Sequence, residues 1–582
     1  MDKLQVVNNN NSSEDDDDES MSENENEKEK SNNYDLAVSY FTKEINNDNK
    51  NPEMLINRAT CHLAKGFYSL SLKDSLKTIE LSPNFQKGYY FAALSYLEMF
   101  EFEKAEKIAK KDKNQKIILL INQKKKAIKE KIQKYKSYPL FLNMIKELYK
   151  SDAFFPKIDI LYITEEYRGI VATSNIQKDE IILIIPFQNL ISLEMALETS
   201  IGKEIGKFIY IENELASPKH SLLSSFLLSQ ENNPKWKFYF DLLPKDFSSF
   251  PIFYTYKELE YLKGSPFLNI ISNKKKDLKK DYEKICDNIP SFKKYSFQKF
   301  CEARMIVSSR VFGIEINDKK TDVLVPFADL LNHKRPRQTH WYFNNILQGF
   351  VIQALQDIKE GNEIFDSYGI KPNFRFLLNY GFVIEDNDTM EFIFTITFNS
   401  NYPLYIDKIN CFRSHNDCIK SFNLHNIIEK SDLMKLLSFL RFSLYTGNIR
   451  ILKNAMIVKD SSNEDEQTFS YYEIDVLSQE LEITVLKHFH SLLEQTLSNY
   501  PTTYDQDKNF LNKKDLSFNQ RNCIILTMNE KYVLLYYIYF CEYCLSLFKI
   551  SIESKFKSSF LTFNNSQFEF YINKINKFLN PI

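Results

Sequence analysis

Between Val325 and Phe343 the chain reads VPFADLLNHKRPRQTHWYF, an apolar run interrupted by Asp329, Asn332 and His333. Polar side chains this close together can hold a metal, serve a reaction or a bound molecule, or satisfy the backbone of a buried turn. Asp329 and His333 stand at i, i+4, which on a helix would share one face, and His340 could extend them into a metal set. Against a metal, the sequence has no HExxH, no paired cysteines nearby and no second carboxylate at ligand spacing. A serine-type triad is opposed by the lack of a GxSxG turn. A structural Asn-His turn stays open on these residues alone.

The elements that must position this stretch are read from the rest of the chain. A length of 582 residues corresponds to about three or four domains. Lys plus Arg is 75 and Asp plus Glu is 77, so a net charge of −2 gives no general attraction to nucleic acid or to a membrane. Residues 1–33, with EDDDDE at Glu14 to Glu19, hold too little apolar material to offset the entropy of ordering and are expected to be a disordered acidic tail. No charged start followed by an apolar segment marks a secretory signal. The longest apolar stretch, Tyr532 to Phe548, carries Glu542 and reads as a buried helix, with Cys541 and Cys544 as core thiols of a reducing compartment. Only 12 glycines occur, where average usage would give roughly 40. None has P-loop or GxG spacing, so phosphate cradles of those kinds are excluded. Five of the twelve (Gly313, Gly349, Gly361, Gly369, Gly381) fall near the opening stretch, where glycine freedom serves the backbone.

Upstream, Tyr34, Tyr68 and Phe102 recur every 34 residues, as do Ala37, Ser71 and Ala105. That is the tetratricopeptide period, so residues 34–112 are expected to form such helical repeats, either docking a partner or serving only as a packing buttress. Residues 113–139 read as a connecting helix with a solvated lysine face, and NKKKDLKKDYEK (Asn273 to Lys284) as another charged face rather than a nucleic-acid surface. RGIVATSNIQKDEIILIIP (Arg168 to Pro186) reads as two strands around a turn. Residues from about 190 to 310 read as helical, after which VLVPFAD, HWYFNN, GFVIQALQDI and NEIFDSYG return as short strands. The order gives a multidomain chain: helical repeats, an α+β module over 140–390 with a helical insertion, and a largely helical region over 391–582.

PFADLLNH, then a strand pair, then ALQDIKEGNEIFDSYG (Ala354 to Gly369), then NFRFLLNYGF (Asn373 to Phe382) together resemble the C-terminal half of a SET domain, specifically the branch of the Rubisco large-subunit lysine methyltransferases. RGIVATSNIQKDEIILIIP is similar to that domain's first strands and SRVF (Ser309 to Phe312) to the helix before the Asn-His segment. LLSFLRFSLY (Leu436 to Tyr445) and NYPTTYDQDKNFL (Asn499 to Leu511) resemble the helical substrate-binding domain that follows.

The resemblance implies a protein-lysine N-methyltransferase that uses S-adenosylmethionine, with Tyr368 as catalytic tyrosine. It implies cofactor contacts from Glu166, Arg168, Arg310, Asn332, His333, Tyr380 and Phe382, with Asp329 supporting the turn, and no metal. Arg310 would fork onto the cofactor carboxylate. Tyr167 departs from the glycine usual in the early cofactor-edge segment. No cysteine occurs between Gly381 and Cys411, so the zinc cluster of histone-type enzymes is missing and a non-histone protein substrate is expected. Ala328 stands where actin-histidine methyltransferases of the branch usually carry a bulky aromatic, which favours lysine over histidine. Asp366, on the strand face of Tyr368, is read as pairing with a substrate cation or facing water. A cytoplasmic or nuclear setting is expected, with a protein docked on the repeats and no nucleic acid or membrane as partner. Histidine methylation and a non-catalytic adaptor stand as alternatives.

Overall fold

The computed structural model describes residues 33–111, 113–164, 167–212, 215–412, 418–427, 431–455, 457–459, 467–469, 474–558 and 561–579. The acidic tail lies outside them except for its last residue. The chain divides into two units, one running through Pro244 with Tyr282–Gly369 added, the other made of Lys245–Asp281 and the chain from Ile370 onward.

In the first unit, helices Pro52–Ala64, Tyr68–Leu81, Gln86–Glu98 and Phe102–Lys111 follow one another in short pairs. Asn51 starts the first of them by accepting from the Glu53 and Met54 amides, with Pro52 already holding helical φ. Small residues at the crossings (Ala59, Ser71, Ser75, Ala92, Ala93, Ala105, Ala109) are fully buried and let the helices approach closely. Arg58 Nε lies 2.8 Å from Asp74 Oδ2 across one such crossing. Helices Gln115–Lys134 and Tyr138–Lys150 continue the stack. Tyr135, the residue that caps the first of these helices, lies face to face with Tyr162, ring centroids 4.0 Å apart.

Three small sheets follow. Strands β1 (Ile158–Tyr162) and β2 (Arg168–Ala172) pair antiparallel, and β3 (Ile181–Pro186) and β4 (Ile191–Ser192) come next. A helical stretch intervenes before β5 (Val311–Ile316), β6 (Lys319–Leu324), β7 (Asn332–His333), β8 (Thr339–Asn344), β9 (Gly349–Ala354) and β10 (Glu363–Asp366). Their orders are β1-β2-β10-β7, β3-β9-β8 and β4-β6-β5. Strand β3 reads IILIIP and β9 GFVIQA, and both are buried over most of their length, so the middle sheet is core on both faces.

The second unit opens its chain-distal part with a hairpin of β11 (Glu391–Thr397) and β12 (Ile419–His425), paired over seven positions. Helices Leu433–Leu444, Gln479–Ser498 and Phe518–Leu547 pack their apolar faces into one aromatic-rich core. The apolar stretch from Tyr532 lies inside the last helix, and Cys541 and Cys544 are fully buried there, their thiols pushed up chiefly by burial. Arg441 forks onto Glu482, Nε to Oε2 and Nη2 to Oε1 both at 2.8 Å, in a site excluded from water, and the Tyr571 hydroxyl donates to the same carboxylate. Among the described residues no helix is long and apolar enough to cross a membrane.

Glu530, on the long helix, accepts from the Ser265 and Tyr500 hydroxyls at 2.8 and 2.9 Å, yet burial pushes its carboxyl up to about 7 against the weaker pull of those donors and Lys531. A folded-state value above the unfolded one favours the fold while the group is protonated. The contribution is whole below the ordinary carboxyl range and is lost as pH rises through about 7. Denaturant unfolding at pH 5 and pH 8 should therefore show a loss on the order of 3 kcal/mol from this group. Glu530→Gln should flatten that difference, and equal pH slopes for wild type and variant would refute the assignment.

Candidate active site

The polar groups of the opening stretch are brought into use by a sharp turn. Phe327 adopts φ +73°, a left-handed conformation that a residue with a Cβ enters at a penalty of about 1–2 kcal/mol. Its ring, fully buried, stacks on Phe155 with centroids 4.6 Å apart, which compensates. The chain then makes a single short helical turn over Ala328–Leu330 and enters β7.

Asp329 does not face solvent. Its side chain, 1% exposed, lies 3.1 Å from Arg310 Nη1 and accepts from the Tyr239 hydroxyl at 2.6 Å. Burial, and then the Asp329 carboxylate, hold the Tyr239 phenol well above its ordinary range, so it stays a donor. Burial most strongly opposes the charge on Arg310, but Asp329 together with the Tyr239 and Tyr368 phenols outweighs it and the guanidinium pKa is raised. Arg310 Nη1 further donates to the Asp329 carbonyl at 3.0 Å. These contacts use Nη1, leaving the other guanidinium nitrogens for an anionic group. Among the described residues no cluster of His, Cys, Asp or Glu could hold a metal ion.

β7 pairs parallel with β10, Phe365 opposite Asn332 and Asp366 opposite His333. This bridge joins the Asn-His pair to the strand that leads into Tyr368. The Tyr368 amide donates to His333 Nδ1 at 2.9 Å, which places the proton of the neutral imidazole on Nε2. The Tyr368 ring lies 5.1 Å from the His333 ring, near parallel, and its hydroxyl donates to the Leu331 carbonyl at 2.8 Å. Gly369 follows at φ +96°, a turn that glycine enters freely. Asn332 spreads its amide over two acceptors, the Arg168 carbonyl at 2.9 Å and Glu363 Oε1 at 2.7 Å. Gly169 leaves space for this: an added Cβ would come 2.9 Å from Asn332 Nδ2 and closer still to Glu363, so those side-chain ends would have to shift.

Tyr368, Arg310, Asp329, Asn332 and His333 thus belong to one region of the first unit. Arg168 contributes its carbonyl there, while its guanidinium lies over the Phe141 ring at 5.1 Å. Tyr380 and Phe382 belong to the second unit, flanking Gly381, which ends the helix Asn373–Tyr380 in the left-handed conformation; both rings pack on Phe376. Glu166 lies outside the described residues. Tyr239 and Glu363 were not among the expected site residues. Neither carries a local signal, because each reaches its partner across many tens of residues or through a side chain on a neighbouring strand.

Residues 167–369 match the SET domain family, from the β1–β2 turn to the glycine after Tyr368. The chain carries a SET domain. Residues 400–534 match the Rubisco LSMT substrate-binding domain. Over 410 residues the chain is 24% identical to the actin-histidine N-methyltransferase of Gallus gallus, covering 68% of this chain and 67% of that protein. It is 26% identical over 392 residues to the enzyme of the same name from Danio rerio, covering 65% and 64%. Among solved structures it resembles the SET domain of LSMT bound to lysine and AdoHcy, with TM-score 0.58 and 21% identity over 70% of this chain and 92% of that one. Rubisco LSMT bound to AdoMet gives 0.56 and 21%, over 74% and 99%. At that identity the likeness is one of fold.

Removing the carboxylate that Arg310 and Tyr239 share should be the severest local change. Asp329→Ala leaves a mostly buried guanidinium uncompensated and should destabilise the protein by about 3–5 kcal/mol, whereas Tyr239→Phe, which removes one donor to a charge, should cost about 1.5–3 kcal/mol. Urea unfolding of both variants orders them; a larger loss for Tyr239→Phe would contradict the ion pair as the anchor.

Proposed function

We propose that the protein is an S-adenosylmethionine-dependent protein methyltransferase that modifies a lysine of a non-histone protein. The observation that carries this reading is the Tyr368 phenol, held on the Leu331 carbonyl with its amide on His333. S-adenosylmethionine supplies an electrophilic methyl group on a sulfonium. Arg310 suits its carboxylate, since the guanidinium retains nitrogens not committed to Asp329. Asn332 and the backbone of His333 line the same region, and the close approach at Gly169 keeps the first strand against them.

Methyl transfer is an in-line displacement, so alignment of nitrogen, methyl and sulfur is most of what the residues contribute, worth roughly 7 kcal/mol or more. The Tyr368 oxygen orients the attacking lone pair, and the nearby Leu331 carbonyl favours a methyl carrying partial positive charge. A lysine must first lose its proton, at about 4 kcal/mol at pH 7.4 from an ordinary pKa near 10.4, and an apolar passage lowers that figure. Ala328 stands where the histidine enzymes of the branch usually carry an aromatic, and supports lysine. The names of the curated relatives support histidine as the second reading. The helical repeats would dock a protein partner, and the setting would be cytoplasmic or nuclear.

Incubating the purified protein with labelled S-adenosylmethionine and cell extract should label protein, and hydrolysis should yield methyllysine rather than methylhistidine. Tyr368→Phe should lower the rate about tenfold or more while cofactor affinity by calorimetry stays within about threefold. A wild-type protein that binds no cofactor would favour the adaptor reading.

A further inference from the structure

Asp366 stands two residues before Tyr368 and was read as pairing with a cation or facing water. It does not face water: the residue is 3% exposed. Its Oδ1 accepts from the Thr339 hydroxyl at 3.3 Å, and the Ser367 amide also favours its charged form. The Trp341 indole N–H lies near enough to act in the same sense, though without a hydrogen bond of ordinary geometry. Arg337 is felt only at a distance, and among the described residues Asp366 makes no ion pair. A buried carboxylate without a counter-ion is unfavourable, and burial accordingly raises its pKa. Two donors leave acceptor positions on its oxygens unfilled.

Position gives those vacant acceptors a use. Asp366 is the last residue of β10 and Tyr368 follows it by two residues; His333 links them, since it is opposite Asp366 in the bridge and its Nδ1 accepts from the Tyr368 amide. The neighbourhood is the one that would meet an acceptor side chain. Trp341 meets Phe312 edge to face at 5.5 Å, and Phe312 follows Arg310 by two residues on β5. His333 is opposite Asp366 in the bridge. Apolar rings, a phenol and a carboxylate without an ion pair are thus gathered along neighbouring strands, a chemistry suited to a long or aromatic basic side chain.

We propose that Asp366 is a specificity-determining residue whose carboxylate accepts an N–H from the basic side chain being methylated, orienting its nucleophilic nitrogen toward the Tyr368 end. This rests on the methyltransferase reading. The shared chemistry is an N–H donor on a basic side chain, and lysine and histidine answer it differently. An ammonium would be captured but made harder to deprotonate, whereas an imidazole can donate from one nitrogen while the other attacks.

Free lysine is a ligand in the related LSMT structure, which makes the probes simple. L-lysine and L-histidine would each be titrated by calorimetry into the full chain saturated with S-adenosylhomocysteine, for wild type and Asp366→Asn. Asparagine keeps an acceptor for Thr339 and the fold can be checked by its melting temperature. The expected result is binding of at least one amino acid, weakened about fivefold or more by Asp366→Asn, with S-adenosylhomocysteine affinity unchanged; which amino acid binds names the acceptor class. Equal affinity in wild type and variant overturns the proposal, as does binding of neither amino acid to a protein that does bind S-adenosylhomocysteine. Failure to bind S-adenosylhomocysteine overturns the methyltransferase reading itself, and with it this role for Asp366.

Discussion

Two backbone pairs, Phe365 with Asn332 and Asp366 with His333, hold the reacting region together, because they join segments that otherwise lie on separate parts of the chain. A parallel bridge this short makes few ladder hydrogen bonds, and side chains make up the difference. Asn332 donates to the neighbouring strand, His333 accepts from the Tyr368 amide, Thr339 donates to the Phe365 carbonyl, and the Lys334 amide donates to the Asp366 carbonyl. A slip of one residue would reverse every side chain on β10 and carry Tyr368 away from Leu331. The register is therefore enforced by the same polar groups that would do the chemistry.

Charge is handled in two ways within that region. Asp329 is matched by a guanidinium and a phenol and so behaves as an anchor. Asp366 has neutral donors but no ion-pair partner among the described residues, so its charge is compensated only in part. The second unit gives the comparison: Arg441 and Glu482, equally buried, complete a two-point fork with Tyr571 as a third contact. A buried charge that is fully paired fixes geometry; one left partly paired keeps acceptor capacity for a further donor.

The N-terminal helices and the second unit solve a simpler problem, apolar closure. Small residues at the helix crossings allow close stacking in the former, and large aromatics interlock in the latter. Buried polar clusters such as Arg441–Glu482–Tyr571 sit within long helices there, so the secondary structure still follows the hydrophobic pattern closely. The strands of the SET domain are short, and polar groups decide where they end.

Much of this was legible from residues in order. The two-strand reading of Arg168 to Pro186, the return to strands at HWYFNN, GFVIQA and NEIFD, the buried helix at Tyr532 and the helical N-terminal region all depend on local period and propensity, which a linear string carries. So did the chemical types at Arg310, Asn332, His333 and Tyr368. Other features depended on contacts between distant segments. Asp329 was expected only to support its turn until Arg310 and Tyr239 came to it; Asp366 looked able to face water until Thr339 and Trp341 covered it; the crowding at Gly169 appears only beside Asn332 and Glu363. The sequence by itself determined which groups were present and which elements carried them. Only the tertiary structure decided their partners, because a carboxylate's role is set by the charges and donors within a few ångströms of it, and here those come from strands and helices far away along the chain.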